Sequence, residues 1–129
     1  MSERLRTPPR ERFADPVHVF SISDAAKELA SEPASTIHGH RQVALYHNGG
    51  FTVALFRFDA GGTLDDHSAR GQVMIQAIEG RLKVTTEHTP KGEMLEPGQF
   101  IVLAPGVVHA VTAEVDSLML LTVALTETA

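Results

Sequence analysis

From Gln42 onward, short β-prone runs alternate with turn residues at intervals of roughly ten residues, a spacing typical of an all-β sandwich or barrel. The runs are QVALYH, FTVALFRF, QVMIQAIE, RLKVTTE, QFIVLA, VHAVTA and SLMLLTVAL. Turn-forming pairs such as Pro97-Gly98 and Pro105-Gly106 separate them. The spacing therefore predicts an all-β protein.

The last of these runs, residues 117–125, is apolar at nearly every position rather than at alternate ones. A strand of this kind is covered on both faces, because either face would otherwise expose apolar surface to water. We expect one face to pack against the interior of a barrel and the other against a second sheet or a second subunit.

The segment SISDAAKELASE, which precedes the strands, favours one short helix. Ser23 is a suitable N-cap, Asp24 favours the positive end of the helix, and the following residues are good helix formers. We predict a helix from about Asp24 to Ser31. Residues 1–16 are rich in arginine and proline and poor in large apolar side chains, so we predict a flexible arm there and a single domain over residues 17–129.

Composition excludes several classes of function. The formal net charge of −5 disfavours binding to nucleic acid or to an anionic membrane. The chain has no cysteine, so any transition metal would be held by imidazole or oxygen ligands. No apolar run approaches the roughly 18 residues of a membrane span. We expect a cytoplasmic protein whose partner is a small molecule or another protein.

Histidines are the candidates for chemistry, since the chain of 129 residues contains seven of them. They are His18, His38, His40, His47, His67, His88 and His109. A single histidine is more often a hydrogen-bonded structural residue than a ligand, so each needs independent support. Only His67 and His109 receive it.

Two segments resemble the motifs of the cupins. Residues 61–80 resemble the first motif, with Gly61, His67 and Gly80 in register. Residues 98–113 are similar to the second motif, with Gly98, Gly106 and His109 in register and the proline displaced by one position to Pro105. The resemblance implies a cupin-type antiparallel jelly-roll β-barrel, here with one short N-terminal helix, and assembly as a homodimer.

The resemblance also implies a metal site, but an incomplete one. His67 and His109 match two ligand positions of the family, whereas Ala69 and Val73 stand where a histidine and a glutamate belong. A divalent ion normally recruits three or four protein ligands, so two imidazoles would hold it weakly. We therefore expect no firmly bound cofactor, and at most a divalent transition metal at low occupancy.

Seven other residues are candidates for a third ligand. They are Gln72, His38, His40, His47, Asp65, Asp66 and Met119. Most have an ordinary explanation: the two histidines that flank Gly39 lie in a loop-like stretch and His47 lies beside a tight turn. The two aspartates are typical of a solvated turn, and the methionine is typical of a core.

Alternation along a strand places the side chains at 67, 69, 73 and 75 on one face and Gln72 on the other. The predicted ligand pocket therefore has two polar side chains over an apolar floor, and its residues are His67, His109, Ala69, Val73 and Ile75.

Three functions remain open. The first is binding of a small molecule, in which His67 and His109 orient a carboxylate or hydroxyl group or act as general acid and base. The second is a metal-dependent enzyme of the dioxygenase or isomerase type that uses His67, His109 and a non-standard third ligand. The third is an interaction or dimerisation module in which the N-terminal arm contacts a partner.

Overall fold

The computed structural model describes residues 15–33 and 39–126, which contain one helix and nine strands. The helix is α1 (Ile22–Ser31). The strands are β1 (His40–Asn48), β2 (Phe51–Phe58), β3 (Thr63–His67), β4 (Gly71–Glu79), β5 (Leu82–Thr86), β6 (Glu93–Leu95), β7 (Phe100–Leu103), β8 (His109–Ala113) and β9 (Ser117–Leu125).

The strands form two antiparallel sheets. One has five strands in the order β1-β2-β9-β4-β7, and the other has four in the order β3-β8-β5-β6. Strands that are neighbours in a sheet are mostly distant in sequence, because the chain crosses repeatedly from one sheet to the other. The arrangement is a jelly roll, and the predicted all-β antiparallel fold is confirmed.

The two sheets enclose one apolar interior. Alternate residues of β4 point into it, and Val73, Ile75 and Ala77 are all at most 3% exposed. The inward side chains of the other strands complete the same cluster, which comprises Ala54, Phe56, Phe58, Val73, Ile75, Ala77, Leu82, Val84, Leu95, Leu103, Val111, Ala113 and Met119. Burial of these side chains is the main favourable contribution to folding.

Helix α1 covers part of the outer face of the five-stranded sheet. Its Leu29 is fully buried and packs with Leu55 of β2 and Leu118 of β9. A helix of the same chain, α1, thus covers part of the apolar outer face of β9. The expectation of a second sheet or a second subunit at that place was wrong, because the amphipathic α1 supplies the apolar partner.

The predicted helix is confirmed, but its cap lies two residues earlier. The side chain of Ser21, not that of Ser23, accepts a hydrogen bond from the backbone N–H of Asp24 at 3.1 Å. Capping from Ser21 lets Ile22 enter the helix and join the apolar contacts that hold α1 on the sheet.

Strands β3 and β6 were not predicted. Asp65 and Asp66, interpreted as turn residues, lie in β3, which is an edge strand of its sheet. Both carboxylates are exposed, and charged side chains are common on edge strands because they discourage pairing with other chains.

The assumption that residues 67–75 lie on one strand was also wrong. The chain leaves β3 after His67, crosses to the other sheet, and begins β4 at Gly71. Gly71 is packed so closely on β9 that a side chain there would overlap the carbonyl oxygen of Ala124. A tertiary contact, rather than a local turn signal, thus sets the start of β4.

Two predictions fall on residues that the structure does not describe: most of the N-terminal arm, of which only Asp15 and Pro16 are described, and His38.

In the part of the chain that the structure describes, no helix has the length and apolar character needed to cross a membrane.

Replacement of two turn glycines by alanine should distinguish the loss of stability caused by backbone strain from the loss caused by steric overlap. Gly61 and Gly80 both have positive φ, at 85° and 83°. A side chain at Gly61 meets open space, whereas one at Gly80 would overlap the Asp116 carbonyl and the Ser117 hydroxyl. We expect Gly61→Ala to lower the free energy of unfolding by about 1–2 kcal/mol and Gly80→Ala to lower it by clearly more. Urea denaturation of both variants measures this, and equal losses would contradict it.

Candidate histidine site at the barrel mouth

Strands β3 and β8 bring His67 and His109 together. The two residues are directly paired across the antiparallel ladder, and their ring centroids are 4.0 Å apart in an edge-to-face arrangement with an interplanar angle of 61°. We call the end of the barrel where β3 ends and β8 begins the barrel mouth. The two histidines of the sequence motifs therefore form one pair there.

The two rings differ in exposure. His109 is 1% exposed and lies on the inward face of β8 with Val111 and Ala113. His67, at the end of an edge strand, is only half-buried. Solvent therefore reaches the pair through His67.

Each ring is oriented by a backbone carbonyl. The Nδ1 atom of His109 lies 3.0 Å from the carbonyl oxygen of Val107, and that of His67 lies 2.8 Å from the carbonyl oxygen of Asp65. A carbonyl oxygen only accepts, so Nδ1 carries the proton in both rings, and Nε2 of the neutral ring presents a lone pair. Nε2 of His109 is buried and has no hydrogen-bond partner among the described residues. An unpaired buried acceptor of this kind is uncommon and needs an explanation.

Burial lowers the pKa of His109 below its ordinary value of 6.5, because the charged ring would lose its hydration. The hydrogen bond to the Val107 carbonyl and the charge of Asp66 act in the opposite direction, while His67 lowers the pKa further. Desolvation is the largest of these effects. His109 is therefore a neutral acceptor at neutral pH.

The other predicted pocket residues belong to the apolar interior of the barrel or pack against it. Val73 and Ile75 are buried in the apolar core, and Ala69 packs against it. Gln72 is exposed on the opposite face of β4, as the alternation predicted. Val73, Ile75 and Ala69 thus belong to or pack against the apolar interior and provide no polar group.

Among the described residues, the histidines and aspartates considered as a third metal ligand form no metal-binding group with the pair, and His38 lies outside those residues. The Nδ1 atom of His40 lies 3.0 Å from the carbonyl oxygen of Thr63, and Nδ1 of His47 is hydrogen-bonded to the Thr52 hydroxyl. Met119 is buried in the apolar core. In residues 15–33 and 39–126, no group of three or more histidine, cysteine, aspartate or glutamate side chains is placed to hold a metal ion. The donor set at the mouth is two imidazoles, which does not fit the three or four ligands of a usual transition-metal centre.

A cleft of about 510 Å³ lies beside the pair. Its lining comes from three separate segments and comprises Thr86, His88, Thr89, Glu93, Leu95, Phe100, Ile101, Val102, Leu103, Ala104 and Val107. Neither His67 nor His109 lines the cleft, but two of its lining residues are neighbours of His109. Thr86 is paired with His109 between β5 and β8, and the Val107 carbonyl accepts a hydrogen bond from the His109 ring. The sequence did not indicate this cleft, because no single motif contains its residues.

The fold and the histidine pair define a small jelly-roll barrel with a polar pair at its mouth, and solved structures share this fold. A cupin superfamily protein from Desulfitobacterium hafniense is 16% identical, with a TM-score of 0.66 over 76% of this chain and 87% of that one. An RmlC-like cupin from Shewanella frigidimarina is 19% identical, with a TM-score of 0.65 over 74% and 85%. A protein of unknown function from Streptococcus pyogenes is 21% identical, with a TM-score of 0.68 over 88% and 92%.

No protein-family model and no curated protein matches the sequence. At the identities of the solved structures, the similarity shows the fold. The chain has the small cupin-type jelly-roll fold that its two motifs predicted.

The lowered pKa of His109 predicts a pH dependence of stability. As the pH falls below 6.5, the unfolded chain takes up a proton at His109 before the folded chain does. The free energy of unfolding therefore falls as the pH is lowered through this window, and the contribution is fully retained above it. His109→Gln should show a smaller loss of stability than the wild type between about pH 7.5 and about pH 5.5.

The measurement is urea denaturation at both pH values, with His88→Gln as the control because His88 lies in an exposed loop. An unchanged pH dependence in His109→Gln would contradict the prediction.

Proposed function

We propose that this protein binds a small molecule at the barrel mouth, with His67 and His109 as acceptors of hydrogen bonds from the ligand. One observation carries the proposal. Both Nδ1 atoms are held by backbone carbonyls, so both Nε2 atoms present lone pairs, and that of His109 is buried without a partner among the described residues. A ligand that donates hydrogen bonds would supply the partner.

The neutral state of His109 favours a hydroxyl group over a carboxylate. A carboxylate brings only acceptor atoms, so it would require protonation of at least one ring. Burial opposes this protonation at His109, whose pKa is lowered. An alcohol, by contrast, donates to the neutral ring at no such cost.

The cleft beside the pair is suited to the apolar part of such a ligand. Its walls are mainly apolar, with Leu95, Phe100 and Val107 among them, and its volume of about 510 Å³ is within the usual range of small-molecule sites, about 300–1,000 Å³. The half-buried His67 is the ring that an entering ligand meets first. The proposed ligand is thus a largely apolar molecule that bears a hydroxyl group.

Thermal unfolding in the presence of two matched probes tests this preference. Cyclohexylmethanol should raise the midpoint of unfolding with increasing concentration, and cyclohexanecarboxylate should raise it less, because only the alcohol donates to Nε2. His67→Phe keeps a planar ring but removes the acceptor, so it should reduce the effect of the alcohol.

The control is His47→Phe, which changes an exposed histidine on β1 that belongs neither to the pair nor to the lining of the cleft. Stronger stabilisation by the carboxylate, or an undiminished alcohol effect in His67→Phe, would argue against the proposed ligand class.

A metal-dependent enzyme of the dioxygenase or isomerase type is the second candidate, and one observation favours it. Histidines that bind metals commonly donate their other ring N–H to a carbonyl oxygen, as His67 and His109 do. Such an enzyme would need a third ligand that the described residues do not provide at the pair. It would contain nearly one metal ion per chain, whereas the binding function proposed above requires none.

A further inference from the structure

Strand β5 extends the polar row that the histidine pair begins. His109 of β8 is directly paired with His67 of β3 on one side and with Thr86 of β5 on the other. Thr86 and His109 are both buried, and side chains directly opposite each other in an antiparallel pair have Cβ atoms about 5 Å apart. Thr86 is therefore a neighbour of His109 that also lines the cleft.

The hydroxyl group of Thr86 is fully used within the protein. Its oxygen accepts hydrogen bonds from the backbone N–H groups of His88 and Thr89, both at 3.0 Å. A hydroxyl oxygen has two lone pairs, so these two bonds occupy its acceptor capacity. The Oγ1 atoms of Thr86 and Thr89 are 2.9 Å apart, and Thr86 is consequently the donor in this contact.

Thr89 thus keeps its own hydroxyl proton for another acceptor. Its oxygen accepts the bond from Thr86, and among the described residues no acceptor lies within hydrogen-bond distance of its own O–H. Thr89 is half-buried and lines the cleft, so a molecule in the cleft can reach this donor.

The position of this donor is fixed before a ligand binds. The backbone N–H of Thr89 donates to the Thr86 carbonyl at 3.1 Å, and the N–H of Gly92 donates to the Thr89 carbonyl at 2.9 Å. A group that is already held in place loses little freedom on binding. The other uncommitted polar side chains of the cleft, those of His88 and Glu93, are exposed, so Thr89 is the half-buried side-chain donor of the lining.

From these contacts we infer that Thr89 is a specificity-determining residue of the barrel mouth, whose hydroxyl group donates a hydrogen bond to a second oxygen of the ligand. The inference rests on the proposed binding function and narrows its class of ligand.

The histidine pair and Thr89 select different groups of the ligand. Nε2 of His109 accepts a hydrogen bond, whereas the Thr89 hydroxyl donates one. A carbonyl or ether oxygen has no proton to donate, so it can bond Thr89 but cannot replace the hydroxyl group at His109. The ligand is thus a largely apolar hydroxy ketone or hydroxy ether, with its hydroxyl group at the pair and its second oxygen in the cleft.

Binding of isosteric pairs of alcohols to the wild type tests the inference. The 3- and 4-(hydroxymethyl)cyclohexanones carry a carbonyl oxygen, and the corresponding methylidene alcohols have a carbon of similar size in its place. NMR titration should show that at least one ketone binds about fivefold more tightly than its methylidene counterpart, because one neutral hydrogen bond contributes about that factor.

Three variants assign this preference to the hydroxyl group. Thr89→Val keeps the size of the side chain but removes the donor, so each ketone should bind no more tightly than its methylidene counterpart. Thr89→Ser retains the hydroxyl group and should retain the preference. Thr85→Val is the matched control, because Thr85 lies on the opposite face of β5 and does not line the cleft, and it should also retain the preference.

Two kinds of failure are distinguishable. A wild type that binds neither ketone more tightly than its counterpart, or a preference that survives Thr89→Val, would overturn the inference and leave the proposed function standing. Absence of saturable binding of all four alcohols, or undiminished binding in His67→Phe, would contradict the proposed function and the inference with it. Circular dichroism checks that the variants are folded, and the wild-type comparison does not depend on them.

Discussion

The register of β8 determines what reaches the interior at the barrel mouth. The strand lies between β3 and β5, and its alternation sends His109, Val111 and Ala113 inward together. A slip of one residue would turn all three outward and bring Ala110 and Thr112 into the barrel. The apolar packing of Val111 and Ala113 therefore also fixes the position of the histidine, and pairing with β3 sets His67 against it.

Burial that stabilises the fold also gives the site its chemistry. His109 is desolvated because its side chain lies on the inward face of β8 beside buried Val111 and Ala113. Desolvation keeps its ring neutral. The carbonyls of Val107 and Asp65 then fix the proton on Nδ1 of each ring. The pair is consequently an acceptor for hydrogen bonds, which connects the packing of two strands to the kind of ligand proposed.

Sequence alone predicted correctly those strands whose apolar pattern matches the burial of their side chains in the fold. The apolar runs of β2 and β9 were located correctly, since their side chains have apolar contacts on both faces. Strands β3 and β6 were missed, because short edge strands tolerate charges such as Asp66 and Glu93 that resemble loop composition. The break after His67 was not predictable either, because the close approach of Gly71 to Ala124 involves a strand far along the chain. The motifs indicated the two histidines, but the protonated nitrogen depends on the backbone carbonyls that each ring contacts.

Nitrogen-15 NMR of the imidazole rings tests the central claim most directly, since it reports which ring nitrogen carries the proton. With wild type and with His67→Phe and His109→Gln for assignment, the account predicts that both neutral rings are protonated at Nδ1 and unprotonated at Nε2, without a bound metal. Protonation at Nε2 of either ring, or the signals of a metal-bound Nε2 in protein as purified, would contradict it.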